Sequence, residues 1–145
     1  MPNVPTTEFR PTDTILHIPL SANGVAGTVV NAAAHGIRLF QAVHNIRVLD
    51  MKVTTGSGTV TALNTMRAAW GVNSGAGTAF TNTLGVVLDP PVASTINTLP
   101  IESTSSTDDT PRDVVPAGSF VGFNIPAVTS NTLTLISATV RYRDA

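Results

Sequence analysis

The sequence predicts an all-β protein, on three observations. Threonine is the commonest residue, with 22 copies, and like the valines around it favours pleated, half-buried backbone. The 11 Gly and 10 Pro are scattered along the chain, as turn punctuation is. Amphipathic stretches rich in Glu, Lys and Leu, the mark of exposed helices, are missing. The 145 residues make one domain, large enough to bury roughly 68–70% of its unfolded surface.

Residues 1–13 read as an extended arm, because Pro2, Pro5 and Pro11 favour open backbone and deny ladder bonds. Phe9 and Arg10 are its bulky features. Thr14 to Leu20 is a strand with Leu16, Ile18 and Leu20 on one face, and Pro19 puts it at an edge or an end. Ser21-Ala-Asn-Gly24 is a turn. Gly27-Thr-Val-Val30, Gly58-Thr-Val-Thr61 and Gly77-Thr-Ala-Phe80 read as strand starts leaving a glycine turn; their irregular spacing is no repeat.

From Ala32 to Val43, Ile37, Leu39, Gln41 and Val43 alternate with Arg38, Phe40 and Ala42, which reads as a strand or a corner crossing between sheets. In Ile46 to Val53, Leu49, Met51 and Val53 face one way, while Ile46 and Val48 are out of phase with them. A bulge near Val48–Leu49 reconciles the two. Thr59 to Trp70 is the longest alternation, with Val60, Ala62, Met66, Ala68 and Trp70 on the apolar side; a short helix over Ala62 to Trp70 is the alternative.

Gly71 to Gly77 is a loop, Phe80 to Leu88 a strand region closed by Asp89-Pro-Pro91, and Thr95 to Ile101 a short strand. Glu102 to Asp113 reads as an exposed polar loop and Val114 to Gly118 as a turn. Val121, Phe123 and Ile125 then follow at period two. Leu133 and Leu135 come next and, after a change of phase, Ile136, Ala138, Val140 and Tyr142. A final strand that regular should be paired inside a sheet. About eight or nine short strands at this spacing predict a jelly-roll β-sandwich over residues 14–145, two antiparallel sheets packed face to face.

Composition narrows the function. A net charge of −1, with Arg10 the one basic residue among the first 36 apart from histidine, argues against phosphate neutralisation and so against nucleic-acid partners. The absence of cysteine excludes a disulfide scaffold, a thiolate metal site and a cysteine nucleophile. No apolar run is long enough for a membrane helix. The segment Met-Pro-Asn-Val-Pro-Thr-Thr-Glu has neither the basic nor the apolar region of a cleavable signal peptide. Only 12% of residues are charged, against about 25% in ordinary soluble proteins. A polar surface that repels itself so weakly suits one covered by partners.

Signs of catalysis are sparse, and the chain is expected to be no enzyme and to carry no cofactor. His17, His35 and His44 lack zinc-site spacing. Asp108 and Asp109 are the adjacent carboxylates, in a loop without EF-hand spacing, where solvation is the simpler role. There is no Gly-x-Ser-x-Gly elbow, no Ser-x-x-Lys and no Walker loop. Trp70, on the apolar face of its strand, packs in the core rather than forming a sugar platform.

The segments Thr28-Val-Val-Asn-Ala-Ala33 with Gly36-Ile-Arg-Leu39, Gly58-Thr-Val-Thr61, Val115-Pro-Ala-Gly-Ser-Phe-Val-Gly-Phe123 and Thr132-Leu-Thr-Leu-Ile-Ser-Ala-Thr-Val-Arg-Tyr142 together resemble the jelly-roll decoration, or cement, proteins of tailed-phage heads. Ser119 stands where that family commonly has Asp. The resemblance spans roughly residues 14–143 and rests on structural, degenerate motifs. It implies a homotrimer on the exterior of the virion head, bridging neighbouring copies of the major capsid protein. On that reading the arm docks on the capsid through Val4, Pro5, Phe9, Arg10 and Pro11. The alternatives are a fibre or tail receptor-binding module, using loops Gly71–Gly77 or Glu102–Asp113, and a shell-forming capsid subunit, which the missing basic arm disfavours.

Overall fold

A computed structural model describes residues 12–20, 28–30, 35–58, 66–72, 79–88, 94–104, 111–125 and 133–145. Among them there are ten strands and no helix. They are β1 (Thr14–Pro19), β2 (Thr28–Val30), β3 (His35–Gln41), β4 (Ile46–Gly58), β5 (Arg67–Gly71), β6 (Asn82–Thr83), β7 (Ile96–Leu99), β8 (Val114–Val115), β9 (Phe120–Ile125) and β10 (Leu133–Asp144).

Two antiparallel sheets result. Six strands form sheet A in the order β1-β10-β4-β7, with β2 also on β10 and β8 also on β4. Sheet B has the order β3-β9-β5-β6. Apart from the short β2 and β8, the pairings are nested: β1 joins β10, β3 joins β9, β4 joins β7 and β5 joins β6. Alternate pairs go to alternate sheets. The fold is thus a long hairpin of eight strands wound up so that its layers face each other across one apolar core.

That core draws on both sheets: Val48, Met51, Val53, Leu135, Ala138 and Val140 from sheet A, and Ala68, Val121, Phe123 and Ile125 from sheet B. Each large side chain so buried contributes roughly 1.5–3 kcal/mol. Two inward polar groups satisfy each other: Asn97 donates to Thr55 Oγ1 at 3.2 Å, and that hydroxyl donates to the Thr95 carbonyl at 3.3 Å.

The pattern of faces follows the sequence until a bulge intervenes. The expected bulge in β4 is present: Arg141 lies opposite Asp50 and Tyr142 opposite Val48, so Leu49 is the extra residue. It lets Ile46, Val48, Met51 and Val53 all face the core despite their phase. Leu49 itself is half-buried rather than facing inward with Met51. A second bulge, at Leu39 in β3, shifts the register between Arg38 and Phe40. Ala42 consequently turns inward and Val43 is 89% exposed, the reverse of simple alternation. A third irregularity, between Leu135 and Ser137 in β10, turns Ile136 outward although its neighbours Leu135 and Ala138 are buried.

Of the other expectations, some are corrected and some hold. Gly58 ends β4, opposite Leu133, and does not open a strand. Phe80 lies outside the strands, and the Phe80–Leu88 region holds only β6 and a bridge from Leu88 to Met66. Arg67–Gly71 is a strand, as the alternation predicted, and the helical alternative does not hold there. Asp113 is buried instead of belonging to an exposed loop. The expected final strand, β10, is central, held between β1 and β4.

Candidate interaction surface

The arm residues Val4, Pro5, Phe9, Arg10 and Pro11 lie outside the described residues. Where the segment joins the domain, the Asp13 carboxylate is fully buried against the C-terminal end of β10. Its Oδ1 stands 3.0 Å from Arg143 Nε, and its Oδ2 3.9 Å from Arg141 Nη1. The two arginines, both on the outward side of β10, are largely buried as well. In such surroundings removing one partner costs far more than an exposed pair would. The start of β1 is thereby tied to the strand it pairs with.

The outer faces of the two sheets differ. On sheet B, Asn124 points away from the core and grips the backbone of Phe80 twice: it accepts from Phe80 N at 2.7 Å and donates to Phe80 O at 2.9 Å. Phe80 is thereby laid over Gly122 and Gly71, where a Cβ would meet its ring. Arg67 Nε donates to Gly85 O at 2.7 Å, holding the chain beyond β6 over the same sheet. The chain thus covers the middle of this face with its own residues.

Sheet A is covered among the described residues where Asp13 lies on Arg141 and Arg143, and elsewhere it leaves apolar side chains exposed. Its outward positions fall in three rows across the strands. Ile15, Arg141 and Asp50 form one, His17, Thr139, Lys52 and Thr98 a second, and Pro19, Ser137, Thr54 and Ile96 a third. The middle row is polar, with His17 Nδ1 3.0 Å from Thr139 Oγ1. At the end of the third row lies an open groove of about 440 Å³ walled by Ile96 and Ile136, floored by Gly56 and rimmed by Thr54, Ser94 and Thr95. Ile96 is 63% exposed and Ile136 38%; Ile15, on the same face, is 53% exposed. Ser94 holds a left-handed φ of 54°, a turn conformation that lets Ser94 N reach Gly56 O at 2.9 Å and shapes the rim.

Nothing in the sequence pattern announced this groove. Ile136 reads as part of the inward set, and only the irregularity in β10 turns it out. Of the two candidate receptor loops, Gly71 and Val72 are described in one and residues 102–104 and 111–113 in the other. Arg112 pairs with Glu102 across the base of the second. Beside it Arg47 donates to Asp113 Oδ2 at 3.3 Å, while Asp113 Oδ1 is buried without a hydrogen bond among the described residues. Burial pushes the Asp113 carboxyl above its ordinary range, outweighing the opposing pull of Arg47 and of its own backbone N–H.

His44 pairs with Asp144 at 2.6 Å on the surface, far along the sheet from His17. Among the described residues no three His, Cys, Asp or Glu side chains are grouped to hold a metal ion. The chemistry this surface offers is shape and apolar contact: isoleucines with hydroxyl neighbours on an otherwise polar sheet. Compared with protein-family models, with curated proteins and with solved structures, the chain finds no match.

Proposed function

We propose that the chain is a jelly-roll structural protein of a virion, a decoration protein that sits as a homotrimer on the outside of a tailed-phage head and bridges major capsid subunits. The nested pairing of eight strands in two sheets supports the jelly roll, since winding one long hairpin is how that fold arises. The single observation that carries the binding role is the contrast between the sheets: one outer face is closed by Phe80 and Asn124, the other presents Ile15, Ile96 and Ile136. Low charge reduces the desolvation cost of covering such a face. A shell offers many copies of one site, so three weak contacts per trimer gain avidity.

Mixing the protein with bare heads assembled from the cognate major capsid protein tests this. Saturable co-sedimentation, with heads that survive higher temperature, is expected. Heads that bind nothing at micromolar protein would overturn the reading, and binding to host cells or glycans instead would assign the chain to a fibre.

A further inference from the structure

We propose, on the homotrimer reading above, that the groove between Ile96 and Ile136 seats residues 2–11 of a second copy of this chain, which leaves Ile15 and the rest of that face to the capsid. Its walls are apolar and its rim carries hydroxyls rather than charges. That chemistry accepts an apolar side chain flanked by backbone. β7, which forms one side, is four residues long and ends sheet A, so an extended segment can lie along it as an added strand.

The occupant follows from the chain itself. Eleven residues precede Thr12. They hold Val4 and Phe9 as anchors, and Glu8 and Arg10 offset each other, which suits an uncharged rim. Pro2, Pro5 and Pro11 favour polyproline geometry at about 3.1 Å per residue, a reach of roughly 30 Å over ten residues. Direction decides between own groove and neighbour's. β1 begins opposite Tyr142 and runs toward Ser137, the row beside the groove. The chain therefore enters β1 at the end of the sheet away from the groove, and Asp13, clamped by Arg141 and Arg143, fixes that point of entry. Seated in its own groove the segment would have to double back over the whole sheet; a neighbour's groove needs no reversal. Arm and groove are different surfaces of one molecule, so the contact is head-to-tail, and a closed ring uses every arm and every groove.

The exchange needs no capsid, so its test is made without one. Light scattering at low micromolar concentration should give about three times 15.0 kDa for the full chain. Deleting residues 2–11, or Ile96→Asp at an exposed position, should each return it to the mass of one chain with melting temperature nearly unchanged. The absence of cysteine allows a direct check. Thr7→Cys protein is mixed with Thr95→Cys protein and oxidised, and mass spectrometry seeks the disulfide joining the two introduced thiols. Since each chain carries one thiol, that bond forms only between copies. A full chain that stays monomeric, an oligomer that survives the deletion, or a mixture that yields no mixed disulfide would each overturn the exchange. Head binding by a monomeric chain would still leave the virion role standing.

Discussion

An ideal Cβ on Gly122 would stand 1.9 Å from the carbonyl oxygen of Ile37 and 2.9 Å from Phe80 Cε2. A carbon normally keeps about 3.3 Å from a carbonyl oxygen, so Gly122→Ala must move β3 by about 1.4 Å, or tilt β9 by as much. The obstacle is backbone and cannot rotate away. Overpacking costs about 1–3 kcal/mol, and a shift of that size breaks one or two ladder bonds at about 0.5–1.5 kcal/mol each. The sum is roughly 2–6 kcal/mol, a large share of the ~5–15 kcal/mol that holds a domain together. For a chain this long it corresponds to a loss of about 6–20 °C in Tm. Gly56→Ala is the control, because its nearest neighbour is the free end of Ile136, Cδ1 at 3.3 Å. Ile136 can give way, and alanine lowers the entropy of the unfolded chain, so the net change should stay within about 1 kcal/mol. Calorimetry and urea titration read both. If Gly122→Ala melts no lower than Gly56→Ala, the bulge at Leu39 does not bring Ile37 over Gly122, and the inward turn of Ala42 loses its explanation.

Three further outcomes are expected. Asn124→Ala removes both bonds to Phe80; a loss of about 1–3 kcal/mol, with faster amide exchange at Phe80, checks it. Asp13→Ala leaves Arg141 and Arg143 without their carboxylate; a loss near 3 kcal/mol, with β1 amides exchanging first, is expected, whereas His44→Ala at the exposed pair with Asp144 should change stability by less than about 0.5 kcal/mol. Asp113 has a raised carboxyl, so the folded state holds its proton more tightly than the unfolded state does. Its contribution to stability is fully present below the ordinary carboxylate range and is lost as pH rises through the folded value. Asp113→Asn should therefore gain in Tm relative to the parent as pH rises from about 4 to 7, Arg47 being free to turn to water; a difference that is flat with pH would refute the assignment.

Local pattern carried much of the fold. Val121, Phe123 and Ile125 in β9 and Val140 in β10 alternate in the sequence and are buried in the structure, and Leu16 and Ile18 in β1, half-buried, stand opposite Val140 and Ala138. Pro19 marks the end of an edge strand as its missing N–H requires. The bulge at Leu49 was legible because two apolar sets in one strand cannot both face a core without it. The bulge at Leu39 was not, since Phe40 and Leu39 are equally apolar and only the approach of Gly122 to Ile37 decides between them. Asp13 and Asn124 escaped for a different reason: their partners lie 130 and 44 residues away along the chain. Polar groups matched across such distances leave no local periodicity. The groove belongs to the same class, since an outward Ile136 is a product of strand register.

Nested pairing also sets the order in which this chain can fold. The innermost pair, β5 with β6, joins residues such as Ala69 and Thr83. The outermost joins Thr14 to Tyr142. Loop closure grows costlier with each layer, so the sheets should build from the inside out and β1 should dock late. Because β10 sits between β1 and β4, sheet A cannot close until residues 133–144 have been synthesised, and no earlier length of nascent chain has a complete core. Such long-range pairing places the protein among slow folders, in the range of milliseconds to seconds. During that interval the bare edges of β4 and β1 are exposed together, and they are where overexpressed chains would pair wrongly.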